Sequence, residues 1–389
     1  MKSSKIYIIT SLTFLLATSA LFGYGSIKGE IRSNEVSVTN ASNFYRKSAT
    51  IEISWQSLKN LNASSIVVHE ADSGKEIPSQ VIYQGGTVPL SIIFQINIAP
   101  KSTQKFIIGK GTPTKYPEKV YGRQVPERLD DFAWENDKVA FRMYGEALEN
   151  KEGMAKGIDF WAKRTSKFIV NELYKKGNYH HDNGDAVDAY HVGLTLGAGD
   201  TEPIIGAKII YPINYSSYEI LDNGPIRITF KLIYKPFDVN GKQVRETKTI
   251  SLDAGSQMNQ IVNHYQGDGT LELASGVTKH ENKGVAKVDK KLGYVAYWDP
   301  ADGGLINGQI GVGIICQSKR IKEFKETKQH LLIISFADKK GNLSYYQGAA
   351  WSKSENFKDA DAWFNYLKQF VLEVESPLKI NLKIVDSAH

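Results

Sequence analysis

Ile51-Glu-Ile-Ser-Trp55 sets apolar side chains at every second position, with polar ones between them. A period of two puts the apolar residues on one face of an extended chain, which is the pattern of a half-buried β-strand. Ser64-Ser-Ile-Val-Val68, Pro89–Ile98 and Lys105–Gly109 also read as strands. Ser73-Gly74, Gly85-Gly86 and Pro100-Lys101 separate them. Turn residues therefore fall roughly every ten positions, the spacing of a β-sandwich.

Moving outward, Pro113, Pro117 and Pro126 mark a connector between Pro113 and Asp131, within which Gly122–Pro126 also fits packed edge structure. Beyond it the chain returns to strand patterns, at Lys138–Tyr144, Ala207–Tyr211, Ile226–Tyr234, Glu246–Leu252, Gln260–Tyr265, Gly293–Tyr297, Ile310–Cys316 and His330–Phe336. One segment has helical spacing: Ala362, Trp363, Tyr366, Leu367 and Phe370 predict a helix over Asp359–Phe370, with acids at its start. The expected fold is all-β. A smaller N-terminal β-sandwich over residues 26–115 precedes a large β-sandwich over 116–389, and helices are few.

Lys2 and Lys5 precede the apolar run Ile6–Phe22, which ends among small residues. That order predicts a signal peptide over residues 1–25 and a periplasmic or secreted protein without stable membrane insertion. The net charge of +6 is spread along the chain with no nucleic-acid motif, so it suits an acidic small partner better than nucleic acid. The single cysteine, Cys316, permits no internal disulfide.

Chemistry concentrates in Tyr179-His-His-Asp-Asn-Gly-Asp-Ala-Val-Asp-Ala-Tyr190. Glycine and titratable groups together predict a functional loop. Asp182, Asp185 and Asp188 with His180 offer donors for a divalent metal ion, the one cofactor this loop suggests, although the spacing matches no standard metal motif. Upstream, Ala133-Trp-Glu-Asn-Asp-Lys138, Phe141-Arg-Met-Tyr-Gly145 and Gly157-Ile-Asp-Phe-Trp-Ala-Lys-Arg164 supply Trp134, Arg142, Trp161, Lys163 and Arg164 as substrate-binding candidates. Arginine clamps a carboxylate through two N–H groups, and lysine supplies a point charge. A structural pairing of Arg142 with Glu135 or Asp137 fits the same residues.

Several runs carry a family resemblance. They are Val120–Arg128, Asp131–Asp137, Ala140–Gly145, Gly157–Arg164, Tyr179-His-His-Asp-Asn-Gly184, Val192–Gly197, Ser251–Ser256 and Gly348-Ala-Ala-Trp-Ser352. Together they resemble a bacterial family of domains of unknown function that is common in Bacteroidota gene clusters for polysaccharide breakdown. The resemblance implies a supersandwich like that of galactose mutarotases and many polysaccharide lyases. It also implies action on uronate-containing oligosaccharides, such as those from ulvan, by eliminating water from the terminal uronate. Where that family reads Tyr-His-Lys-Asp-His-Gly-Glu, this chain has Tyr179-His-His-Asp-Asn-Gly-Asp, with Asn183 in place of the second histidine. The expected base is therefore His180, and Tyr179, Tyr144 or Tyr190 is the expected acid. An exo-acting glycoside hydrolase using Glu135 or Asp137 with Asp182 or Asp188, and a non-catalytic glycan-binding protein, are the alternatives.

Overall fold

The computed structural model describes residues 32–386, apart from 59–60, 152, 268–269, 281–283 and 317–318. The expected signal peptide lies outside the described residues. The first alternating stretch forms the strand Arg46–Ser54, with Ile51 and Ile53 buried and Glu52 and Ser54 exposed. It pairs antiparallel with Ser91–Ile98, which also holds Ser79–Ile82. A five-stranded sheet packs on these three through Val36, Val38, Phe106 and Ile108.

One edge of that sheet is the strand Lys379–Asp386, paired with Arg32–Asn40. The sequence division at residue 116 assigns this strand to the larger sandwich. Leu378 and Leu382 instead pack against the first core, so the chain returns to its start.

The larger body is built on a nine-stranded antiparallel sheet with both faces covered. The chain is thus an all-β sandwich protein with few helices. The strand Tyr294–Pro300 shows how each face is buried: Val295 and Tyr297 enter the main core, while Tyr294, Ala296 and Trp298 face a helix. That helix, α2 (Ala360–Glu375), takes in the predicted segment except its first residue, Asp359, and continues past it. The Asp359 carboxylate caps it by accepting from the Ala362 N–H at 2.9 Å, a contact worth about 1 kcal/mol. Gly311 and Gly313 let α2 lie close, because a Cβ on either would come within 2.6–2.7 Å of Trp363 or Leu367.

A second five-stranded sheet positions the loop of interest. Its order is Val120–Val125, Asp131–Asn136, Ala140–Met143, Asp159–Lys163 and Ala186–Asp188. The edge strand Val120–Val125 lies inside the proline-marked connector, so that segment is packed rather than open. Phe132, Trp134, Phe141, Phe160 and Val187 point into the main core. The opposite face carries Asp131, Glu135, Arg142, Asp159, Trp161, Lys163 and Asp188, all buried. Part of its cover is the short helix α1 (Val170–Lys176), through Val170 and Leu173. No helix among the described residues is long and apolar enough to cross a membrane.

The loop after this sheet is fixed by a buried histidine. The His330 Nε2 accepts the Leu196 N–H at 3.3 Å. That contact needs the neutral ring, and burial lowers the His330 pKa to about 4. A folded pKa below the unfolded value of about 6.5 gives stability above pH 6.5 that is lost as pH falls toward 4. Between pH 7 and pH 5 the wild type should lose about 2 kcal/mol through this residue. His330→Gln should lose correspondingly less over the same interval in urea unfolding, and equal losses in the two proteins would refute the assignment.

Candidate functional site

Arg142 lies at the centre of the polar sheet face and is only 5% exposed. Its Nη2 is 2.6 Å from Asp159 Oδ2 and 3.0 Å from Asp188 Oδ2, and its Nη1 is 3.6 Å from Asp131 Oδ2. The rings of Tyr144, Trp161 and Tyr179 surround the guanidinium at 5.1–5.7 Å. Arg142 is therefore not a free clamp for a substrate carboxylate, because three protein carboxylates already occupy it. Burial pushes the Asp131 carboxyl up to about 6 against the pull of Arg142 and Arg128. Burial and the Asp159 charge push Asp188 up, opposed by Arg142.

The other upstream candidates are structural as well. Lys163 is fully buried and donates to Glu135 Oε2 at 2.8 Å and to the carbonyls of Asn136 and Lys167. Glu135 also accepts the backbone N–H groups of Ile169 and Val170. This saturated, buried carboxylate is unsuited to act as a hydrolase acid. Asp137 accepts the Gly255 N–H at 2.6 Å. Trp134 and Trp161 are buried in the core, where the Trp134 Nε1 donates to Asn259 Oδ1. Neither ring offers a face to a ligand.

The loop itself is well anchored. The Tyr179 ring stacks on Trp161 at 5.2 Å, and its hydroxyl accepts from Arg128 Nε at 3.1 Å. Asn183, at the position where the resemblance implies a histidine, closes a turn by accepting the N–H groups of Asp185 and Ala186. His180 then projects outward, 66% exposed. Its Nδ1 lies 3.2 Å from the Asp188 carbonyl and 3.6 Å from Asp188 Oδ2. With Nδ1–H directed at Asp188, Nε2 carries the lone pair, and it has no partner among the described residues.

Two residues on, Asp182 accepts from Arg164 and from Lys353 Nζ at 3.2 Å. Both cations stand over the Trp351 ring, Arg164 at 4.5 Å and Lys353 at 5.8 Å. They are 28% and 30% exposed, and Arg164 Nε is buried with no hydrogen-bond partner among the described residues. Of the expected substrate-binding residues, Arg164 alone is partly open to solvent. The metal reading fails on geometry. Asp182 is held by Arg164 and Lys353, Asp188 by Arg142, and Asp185 lies 4.0 Å from Lys167. Among the described residues, no three His, Cys, Asp or Glu side chains converge to hold a metal ion.

The structure adds residues that spacing does not reveal. His280 Nδ1 lies 2.9 Å from Asp299 Oδ2, and its Nε2 lies 2.7 Å from the His191 carbonyl. Two acceptors facing both ring nitrogens require the doubly protonated ring. Burial would lower the His280 pKa, but Asp299 and the carbonyl outweigh it and raise it. Tyr190 meets this ring edge-on at 5.0 Å. The Tyr190 hydroxyl is buried with no partner at hydrogen-bond geometry among the described residues. Tyr144 is buried against Arg142.

Buried and exposed members of this cluster should separate in a stability assay. Arg142→Met strands three buried carboxylates and should cost about 3–5 kcal/mol. His180→Ala removes an exposed ring and should cost less than about 0.5 kcal/mol. Chemical denaturation of both variants checks the contrast, and similar losses in the two would contradict it.

Comparison with known proteins places this geometry in context. An uncharacterized protein, P7, of Formosa agariphila is 28% identical over 402 residues, covering 96% of this chain and 99% of that protein. Among solved structures, a glycosyl hydrolase family 38 protein from Enterococcus faecalis superposes with a TM-score of 0.52 at 10% identity over 90% of this chain. An α-mannosidase from Enterococcus faecalis V583 gives 0.48, also at 10% identity. This chain spans about half the length of those two structures, 47% and 46%, and the likeness to the first is one of fold. A family model matches residues 38–380, and the chain belongs to that family, described as a domain of unknown function, DUF4861.

Proposed function

We propose that this protein is an exported lyase, periplasmic or secreted, that acts on uronate-containing oligosaccharides such as those from ulvan. It removes water from the terminal uronate by β-elimination. One observation carries the reading: His180 is held through Nδ1 by Asp188 and exposes an Nε2 with no partner among the described residues. Two half-exposed cations, Arg164 and Lys353, share the same loop through Asp182.

Elimination needs the uronate carboxylate neutralised, so that the proton at C5 becomes acidic. Arg164 and Lys353 are suited to this, since one carboxylate, that of Asp182, is shared between two cations. His180 Nε2 takes the C5 proton, and the electron pair forms the C4–C5 double bond. The C4–O bond breaks toward oxygen, which receives the proton now carried by His180 Nε2, so the base is regenerated. A free C4 hydroxyl leaves as water, and the product is an unsaturated uronate. The family resemblance and the basic-apolar-small N-terminus support the substrate class and the export.

The test is incubation of purified protein with ulvan oligosaccharides, followed by ultraviolet absorbance and product mass. New absorbance with loss of one water is the expected result. New absorbance with shorter fragments would make the protein a chain-cleaving lyase, fragments that gain water would make it a hydrolase, and unchanged material would overturn catalysis on this substrate. His180→Ala should lower the rate about 10²–10⁴-fold, the usual contribution of a general base. Full activity in that variant would remove His180 from the mechanism.

A further inference from the structure

We infer that a second, separate pocket binds an uncharged sugar. This cavity, of about 330 Å³, is lined by Gln124, Asp130, Glu146, Tyr215, Ser216 and Tyr218 together with Ser217. It stands independently of the reading of the His180 loop, none of whose residues line it. Its volume suits one small ligand.

The wall chemistry selects the ligand class. Tyr218 is 41% exposed and rests against Phe132 at 5.5 Å, so one aromatic surface is offered from a fixed position. An aromatic ring beside hydroxyl and carboxylate acceptors matches a pyranose, which has an apolar C–H face and a polar edge. Asp130 spends one carboxylate oxygen on Gln124 Nε2 at 2.8 Å, and Glu146 one on Lys235. Two acids against one lysine repel an anion, so the occupant is not a uronate.

The floor is built at a cost. Leu129 and Asp130 are consecutive non-glycine residues with φ of +52° and +61°, a conformation that costs of order 1 kcal/mol or more per residue. The Tyr215 hydroxyl donates to the Asp130 carbonyl, and Gly145 passes so close that a Cβ there would lie 2.2 Å from that oxygen. The Glu146 N–H donates to the Tyr215 carbonyl at 3.0 Å. The strained turn is thereby fixed with Asp130 on the cavity wall.

Saturation-transfer NMR with methyl α-D-glucopyranoside and methyl β-D-xylopyranoside tests this, with sodium D-glucuronate and tetramethylammonium as charged controls. At least one glycoside should bind with a Kd on the order of 1–10 mM. Tyr218→Ala should weaken it by about fivefold or more, and Tyr218→Phe should retain it. His180→Ala should leave the binding unchanged, which separates this pocket from the loop. No transfer from either glycoside, transfer undiminished in Tyr218→Ala, or a stronger response from either charged control would overturn the proposal.

Discussion

The ion cluster around Arg142 is the constraint on which the candidate site rests. Asp131, Asp159 and Asp188 sit on neighbouring or closely placed strands, and none is exposed enough to be solvated by bulk water. Buried carboxylates persist only when paired and hydrogen-bonded. Arg142 supplies the pairing from between them, and its planar group fits among Tyr144, Trp161 and Tyr179. Tyr179 is both a wall for the guanidinium and the first residue of the functional loop. The cluster thus sets where the loop enters the sheet.

The same dependence reaches outward by one bond at a time. Asp188 Oδ2 faces Arg142 on one side and His180 on the other. The Asp188 N–H donates to the Tyr179 carbonyl at 2.8 Å, closing the loop back on its strand. Arg128 ties the Tyr179 hydroxyl to the turn that precedes the strand Asp131–Asn136. An exposed histidine would otherwise lose orientation to side-chain freedom.

Much of the architecture follows from period-two patterns, because a strand with one wet face must alternate. Ile51-Glu-Ile-Ser-Trp55 is such a strand, and Asp359–Phe370 announces α2 by its own spacing. The polar face of the second five-stranded sheet breaks the rule. Arg142, Lys163 and Trp161 read as surface or cleft residues because charge and an aromatic ring suggest solvent or ligand. In the fold α1, two turns long, helps cover that face, and partners from distant segments neutralise it. A helix that short has too few apolar positions to show a period. The Asp triad fails as a metal site for a related reason, since spacing along a loop does not state which cation each carboxylate meets. His280 meets Asp299 and His191, 19 and 89 residues away, and Arg164 reaches Trp351 from a segment far earlier in the chain.

Asn183 shows how these constraints select the acting group. Its side chain is used up in a turn, accepting two backbone N–H groups. A histidine there would lose the short acceptor that forms the turn. The turn directs Asp182 toward Arg164 and Lys353, so the two cations are gathered near the loop and stay partly open. His180 precedes that turn, with Nδ1 facing Asp188 and Nε2 open. Buried charges in this region orient, and half-exposed ones remain available. By that criterion His180, Arg164 and Lys353 are the groups left to meet an acidic ligand, while Arg142 and Lys163 hold the surface from which they project.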